Sequence, residues 1–189
     1  MSQEFHKRIF TAGTFFKDIG YLIIHTPQIV AALHDEAIGK AFQEKIMTVV
    51  TAVNGCTYCA WFHAKVAVDS GINEDELKNL LSLQFNADAT THEIPALLYA
   101  QHFAETNRNP TPEMTEKLYS FYGEKTASHI ILFICMIFFG NLLGNTWDAV
   151  MSRLKGNPAK DSSVFFEVLF FLCSFLFMLP AMLIVKKES

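Results

Sequence analysis

The chain has 189 residues, of which 51% are hydrophobic and 18% are charged, and its formal net charge is −4. This length allows one domain with a sizeable apolar core, and the composition excludes a disordered tail. Phosphate backbones select basic surfaces, so the acidic balance argues against nucleic-acid binding. We therefore expect a single domain over residues 1–189, whose last part, 156–189, contains an apolar C-terminal helix.

Apolar residues recur at three- and four-residue steps along the chain, which predicts helices, and no strand pattern competes with them. Thr26-Pro27 resembles an N-cap followed by proline at the first helical position, which opens a helix to about residue 35. The spacing over 41–53 predicts an amphipathic helix that contains Glu44. Asn54-Gly55 then breaks this helix.

A second group of signals places the remaining helices. A helix over 56–70 ends at Gly71, a residue suited to a left-handed cap, and Asn73 with Glu76 resembles the capping box of another helix. Further helices are predicted at about 93–106, 112–121, 128–154 and 164–185. The fold should therefore be all-α.

Cysteine usage indicates the compartment in which the chain works. Four cysteines in a chain of this length do not make a small secreted disulfide scaffold. The first ten residues, MSQEFHKRIF, do not have the long apolar stretch and small-residue cleavage site of a signal peptide. We expect a reducing compartment, the cytoplasm, where a close cysteine pair is more often catalytic or metal-binding than structural.

Cys56 and Cys59 form such a pair, and His63 follows four residues later. At roughly 100° per residue, the three side chains share one narrow face of a helix. The break before Cys56 puts its thiol near the helix N-terminus, where free amide hydrogens and the helix dipole favour a thiolate. Two thiols one turn apart can also close a disulfide. The pattern therefore predicts a redox-active dithiol.

Two questions stay open at this point. Helix-terminus electrostatics favour a low pKa for Cys56, whereas His63 could instead activate Cys59 as a proton acceptor. A zinc site is the competing interpretation, with the two cysteines and His63 as ligands and Glu44 as a possible fourth. Structural zinc sites usually draw a second ligand pair from a distant segment, and no second CxxC or HxxxH occurs. We expect neither a metal nor a cofactor.

A longer pattern includes all of these residues: a glutamate, eleven residues, a CxxC pair, three residues and a histidine, here Glu44, Cys56, Cys59 and His63. In this pattern the chain resembles the carboxymuconolactone decarboxylase-like superfamily, specifically its alkyl hydroperoxidase D branch, over roughly residues 20–155. The resemblance implies an all-helical fold, assembly into trimers or hexamers, and a dithiol near a subunit contact. It also implies a proton relay in which Glu44 orients and polarises His63.

The chain departs from this family pattern at Tyr58. Members with the fullest relay place a second histidine between the cysteines, and a phenol is a poorer proton carrier at neutral pH. True decarboxylases of the superfamily lack the cysteine pair, so lactone decarboxylation is not expected.

These observations lead to a functional hypothesis: an antioxidant thiol-dependent peroxidase or disulfide reductase. The substrate would be a peroxide or a disulfide, and an external dithiol protein of thioredoxin or lipoyl type would reduce the Cys56–Cys59 disulfide again. The alternative is a non-catalytic redox-sensing or zinc-binding oligomer, with membrane association as a further option.

The apolar segment 164–185 lies outside the resemblance. It contains one charged residue, Glu167, and its 22 residues are long enough for a membrane span. We favour burial in an oligomer interface over a membrane span. Cys135 and Cys173 lie within long apolar runs, and we interpret both as buried structural thiols.

Overall fold

The structure is a computed structural model that describes residues 5–85, 89–160, 162–172 and 174. Within these residues the chain is helical and contains no strand, so the predicted all-α fold is confirmed. The expected trimer or hexamer stays a prediction.

The described part of the chain contains seven helices with defined bounds, followed by a helical segment over residues 164–172 that we call the C-terminal helix. The helices are α1 (Ala12–Ile24), α2 (Thr26–Leu33), α3 (Lys40–Asn54), α4 (Thr57–Asp69), α5 (Glu74–Leu81), α6 (Ile94–Glu105) and α7 (Pro112–Leu154). Gly123, with φ of 74° and ψ of 169°, interrupts α7, so its two arms correspond to the two helices predicted there.

Helix α1 was not predicted, and the predicted cap at Thr26 is wrong. The backbone of α1 continues almost directly into α2, because the His25 amide donates to Tyr21 and its carbonyl accepts from Ile29. Thr26 therefore lies inside the helix, where its hydroxyl donates to the Leu22 carbonyl. The predicted cap at the start of α5 is confirmed, since the Asn73 side chain accepts from the Glu76 amide.

Helix α3 is the centre of the fold. It contacts α4, α5, α6 and α7, and every residue from 42 to 51 is buried. The expectation of an amphipathic helix with one solvated face is therefore wrong, because other helices surround α3 on all sides. Its charged side chains Glu44 and Lys45 consequently pair with groups from neighbouring helices.

Lys45 is the clearest example of this pairing. Its ammonium lies 2.6 Å from a Glu76 oxygen and 2.9 Å from a Glu93 oxygen, so one cation joins α3, α5 and the start of α6. Burial opposes the charge on Lys45, but the two carboxylates outweigh burial and raise its pKa. The Glu93 pKa is lowered despite burial because Lys45 and Thr90 donate hydrogen bonds to its carboxylate.

The turn from α3 to α4 places Cys56 at the start of α4. Gly55 ends α3 with φ of 66°, a left-handed conformation that glycine adopts without steric cost. Cys56 is then extended and becomes the N-cap of α4. Helix α7 holds this turn from the other side, where the Asn145 amide donates to the Asn54 carbonyl at 2.9 Å.

The C-terminal helix packs against earlier helices of the same chain. Phe166 and Phe170 are buried, and their rings lie 5.9 and 6.2 Å from the ring of Phe15. Glu167 is 2% exposed and pairs with Arg153 at the end of α7. The opposite face exposes Val164, Phe165, Val168, Leu169 and Leu172.

The remainder of the predicted 164–185 helix, with Cys173, lies outside the described residues, and neither an interface nor a membrane span is tested. Among the helices described, α7 alone is long and apolar enough to cross a membrane by length and composition. However, 61% of its most apolar window is buried, as in a core helix.

We expect Lys45→Ala to lower the free energy of unfolding by about 3 kcal/mol, because it leaves two partly buried carboxylates without their shared cation. Urea denaturation measures this change. Lys117→Ala is the matched control, since Lys117 forms an exposed pair with Glu113 at 2.7 Å and should contribute less than about 0.5 kcal/mol. Equal losses in the two variants would contradict the role given to Lys45.

Candidate active site

The two thiols lie at the first turn of α4. The Cys56 sulfur accepts a hydrogen bond from the Cys59 amide at 3.3 Å, and the two sulfurs are 2.7 Å apart with both cysteines free. Cys56 is 1% exposed, whereas Cys59 is only partly buried. The inner thiol is therefore shielded, and the outer one is the thiol that a small molecule can reach.

The surroundings of the two thiols shift their pKa values in opposite directions. A hydrogen bond from Cys56 lowers the Cys59 pKa against the effect of burial, and the Asn141 amide and His63 lower it further. The Cys56 pKa is raised far above its ordinary value by its hydrogen bond to Cys59 and by burial. The amide at the helix start does lower the Cys56 pKa, but these effects outweigh it. Cys59 is consequently the more acidic thiol of the pair.

His63 lies one turn beyond Cys59 and is held by Glu44. The His63 Nδ1 is 2.7 Å from a Glu44 carboxylate oxygen, and both side chains are about nine-tenths buried. Glu44 comes from α3 and His63 from α4, so packing of these two helices forms the pair. All four residues of the sequence pattern thus lie together, in the arrangement that the family resemblance implies.

A pocket of about 390 Å³ opens in front of Cys59 and His63. Its lining is mostly apolar and comes from α3, α4 and α7. Besides the cysteine and the histidine, the lining residues are Met47, Tyr58, Trp61, Phe62, Met136, Ile137, Gly140, Leu143 and Gly144. An apolar organic molecule with one reactive polar group would fit this chemistry.

Tyr58, which stands between the two cysteines, is not part of the Glu44–His63 pair. Its hydroxyl donates to Asp148 on α7, and burial together with this carboxylate raises the Tyr58 pKa, so the phenol stays protonated at neutral pH. Asp148 in turn lies 2.6 Å from the Lys7 ammonium, which also donates to Thr57 at 3.2 Å. These contacts fasten the N-terminal segment to the start of α4.

Sequence reasoning missed the contribution of α7. A Cβ at Gly144 would lie 2.6 Å from the Cys56 sulfur and 3.3 Å from the Tyr58 ring, so only glycine allows this close approach. Asn141, one turn earlier, is fully buried beside Cys59. A glycine and an asparagine within a long apolar helix were the available signals, since such residues often mark a packing or functional constraint.

The described residues offer no alternative centre for a metal. In that part of the chain, no group of three or more His, Cys, Asp and Glu side chains is arranged to hold one metal ion. The zinc interpretation of the sequence pattern therefore gains no support from the geometry.

The fold and the site together define an all-helical protein with a dithiol at a helix start and a histidine–glutamate pair beside it. Residues 26–105 match the model of the carboxymuconolactone decarboxylase family. The match begins with α2 and ends with α6, so it contains all four residues of the pattern. No curated protein and no solved structure matches the chain.

We expect iodoacetamide to alkylate Cys59 of the reduced protein before Cys56 or Cys135 at pH 7. A lowered pKa gives Cys59 a larger thiolate fraction, whereas burial raises the pKa of Cys135 to about 12 and Cys56 is raised as well. Peptide mass spectrometry after a timed reaction gives the order. Modification of Cys56 first would contradict the lowered pKa of Cys59 and the raised pKa of Cys56.

We expect Gly144→Ala to displace the Cys56 sulfur, to slow closure of the disulfide and to lower the free energy of unfolding by about 1–3 kcal/mol. Gly140→Ala is the matched control, because it lies in the same helix and pocket but its Cβ would meet nothing within 4 Å. This control should be neutral or stabilising by about 0.5–1 kcal/mol. Thiol titration during oxidation and thermal denaturation measure the two effects.

Proposed function

We propose that the chain is a thiol-dependent peroxidase of the alkyl hydroperoxidase D type, which reduces organic hydroperoxides with Cys59 as the attacking thiolate. One observation carries the proposal: the more acidic sulfur of a dithiol faces an apolar pocket beside a histidine that a buried glutamate holds at 2.7 Å. Decarboxylation is not proposed, because the reactive groups that converge here are those of thiol chemistry.

The first step is attack of the Cys59 thiolate on the terminal oxygen of the hydroperoxide. The sulfur–oxygen bond forms and the O–O bond breaks, so two electrons pass from sulfur to the peroxide. The alkoxide leaves and takes a proton, giving an alcohol and a sulfenic acid on Cys59. His63 is placed to supply this proton, and Glu44 stabilises the imidazolium before the transfer.

The second step is closure of the disulfide. The Cys56 thiol attacks the sulfenic sulfur on Cys59, a sulfur–sulfur bond forms, and the hydroxyl leaves as water with the proton that Cys56 releases. The 2.7 Å separation of the two sulfurs supports rapid closure. A dithiol protein of thioredoxin or lipoyl type would then reduce the disulfide by exchange and restore both thiols.

The pocket supports an organic hydroperoxide in preference to hydrogen peroxide. Its lining is almost entirely apolar, so burial of an alkyl or aryl group there adds favourable transfer free energy, at about 25 cal/mol per Å² of apolar surface. Hydrogen peroxide has no such group. A cytoplasmic location and a homo-oligomer are further parts of this proposal, and the apolar residues that the C-terminal helix exposes are consistent with subunit contacts.

Peroxide consumption with dithiothreitol as the reductant tests the proposal, using cumene hydroperoxide and hydrogen peroxide in parallel. We expect turnover with a higher kcat/KM for cumene hydroperoxide. Cys59→Ser should abolish turnover, and Glu44→Gln should lower kcat at least about tenfold because the imidazolium loses its counter-charge. Cys135→Ser is the control and should retain activity.

Retention of full activity in Cys59→Ser or Glu44→Gln would contradict this assignment. If the wild-type protein consumes no peroxide while its disulfide still opens and closes reversibly, a redox-sensing or disulfide-exchange role replaces the peroxidase.

A further inference from the structure

The Asn141 side chain is held in one orientation at the back of the dithiol. It is fully buried, its carbonyl accepts from the Asn54 amide at 3.2 Å, and its own amide donates to the Thr51 hydroxyl at 3.0 Å. Because the carbonyl oxygen is engaged by Asn54, the NH₂ group must point away from it. The second N–H of this group is engaged by neither partner. The Cys59 sulfur lies beside this part of α7, 4.0 Å from where a Cβ of Gly144 would stand, and the Asn141 side chain lowers the Cys59 pKa.

The same chain of hydrogen bonds extends outward to a cation. An Arg8 guanidinium nitrogen donates to the Asn54 carbonyl oxygen at 3.3 Å. Arg8 also donates to the backbone carbonyls of Ala104 and of Glu105, the latter at 2.9 Å, which fixes the guanidinium at the end of α6. Every donor in the chain therefore points from Arg8 toward Cys59, and hydrogen bonds aligned in one direction polarise each other.

We propose that Asn141 is a second activating group of the Cys59 thiolate, and that Asn54 and Arg8 are positioning residues that aim and polarise its amide. The catalytic meaning of this proposal rests on the proposed peroxidase function. The hydrogen-bonded chain itself does not depend on that function, so the two proposals can be tested separately.

The hydrogen-bonded chain stabilises the Cys59 thiolate in a way that the Glu44–His63 pair cannot. His63 favours the thiolate as an imidazolium but loses that effect once it has given its proton to the leaving oxygen. An amide and a guanidinium do not titrate at physiological pH, so Asn141 and Arg8 stabilise negative charge on Cys59 before and after the proton transfer. A partly buried thiolate also needs such a donor, because an unpaired charge in an apolar environment is costly.

Other groups face Cys59 and must be separated from this effect in any pH measurement. Cys56 and His63 lie on the same helix, with Glu44 behind His63 on α3. Asp148 on α7 acts in the opposite direction, since its carboxylate raises the Cys59 pKa. A useful test variant therefore leaves all of these groups unchanged.

Asn141→Ala meets this requirement, and Asn145→Ala is its matched control. Asn145 is an equally buried amide one turn further along α7, and it bonds the Asn54 backbone carbonyl instead of a thiol. The measurement is the rate of iodoacetamide alkylation of Cys59 between pH 5 and 10, resolved by peptide mass spectrometry. We expect Asn141→Ala to raise the midpoint by about one pH unit and to slow the reaction about tenfold below it.

Asn145→Ala removes a bond to the Asn54 backbone but no donor beside the thiol, so it should shift the midpoint by much less than Asn141→Ala. Arg8→Gln tests the outer end of the chain without opening a cavity at the site, and should shift the midpoint in the same direction by less, with Arg8→Lys closer to the wild type. This pair keeps the proposal testable if Asn141→Ala does not fold. Equal shifts in Asn141→Ala and Asn145→Ala, or no shift in Arg8→Gln, would overturn it.

Alkylation needs no peroxide turnover, so failures of the two proposals are distinguishable. A protein that consumes no peroxide but shows the Asn141-dependent midpoint refutes the peroxidase and supports the hydrogen-bonded chain. An active peroxidase whose Cys59 midpoint is insensitive to Asn141→Ala and Arg8→Gln supports the peroxidase and refutes the role given to the hydrogen-bonded chain.

Discussion

The close crossing of α7 over the turn between α3 and α4 is the contact on which the rest of the site depends. Gly144 has no side chain where the Cys56 sulfur lies, so the backbone of α7 can approach the first turn of α4. Asn141, about one turn before Gly144, bonds the Asn54 side chain, and Asn145, the next residue, bonds the Asn54 backbone. The dithiol is therefore positioned by a contact between distant parts of the chain as well as by its own helix.

This crossing also explains why two neighbouring thiols differ. Both lie at the positive end of α4, so the helix alone would favour a thiolate on either. Packing against α7 buries Cys56 behind Cys59 and brings Asn141 to the outer sulfur, whose other neighbour, His63, lies on α4 itself. The result is a more acidic, accessible sulfur at the pocket and a shielded sulfur in contact with it. This arrangement suits reversible dithiol–disulfide exchange.

Features encoded locally could be predicted from the sequence. The helices at 41–53, 56–70, 93–106 and 128–154 and the shared face of Cys56, Cys59 and His63 follow from residue spacing, and the structure contains them. The position of Glu44 beside His63 was implied by the family resemblance alone. Helix α1 was not predicted; no residue in it is fully buried, although Phe15 packs against the core. The full burial of α3 and the parts played by Asn141 and Gly144 depend on which helices pack together, and spacing along one helix does not contain that information.

The family match ends at the last residue of α6, whereas one wall of the pocket comes from Met136, Ile137, Gly140 and Leu143 on α7. The cysteine pair, the histidine and the glutamate thus lie within the matched segment, whereas part of the pocket wall in front of them lies outside it. Substitutions in α7 can reshape the pocket while the sulfur and its histidine stay in place. Substrate preference can consequently diverge among relatives that keep an identical glutamate, cysteine pair and histidine, and those four residues alone are a poor guide to it.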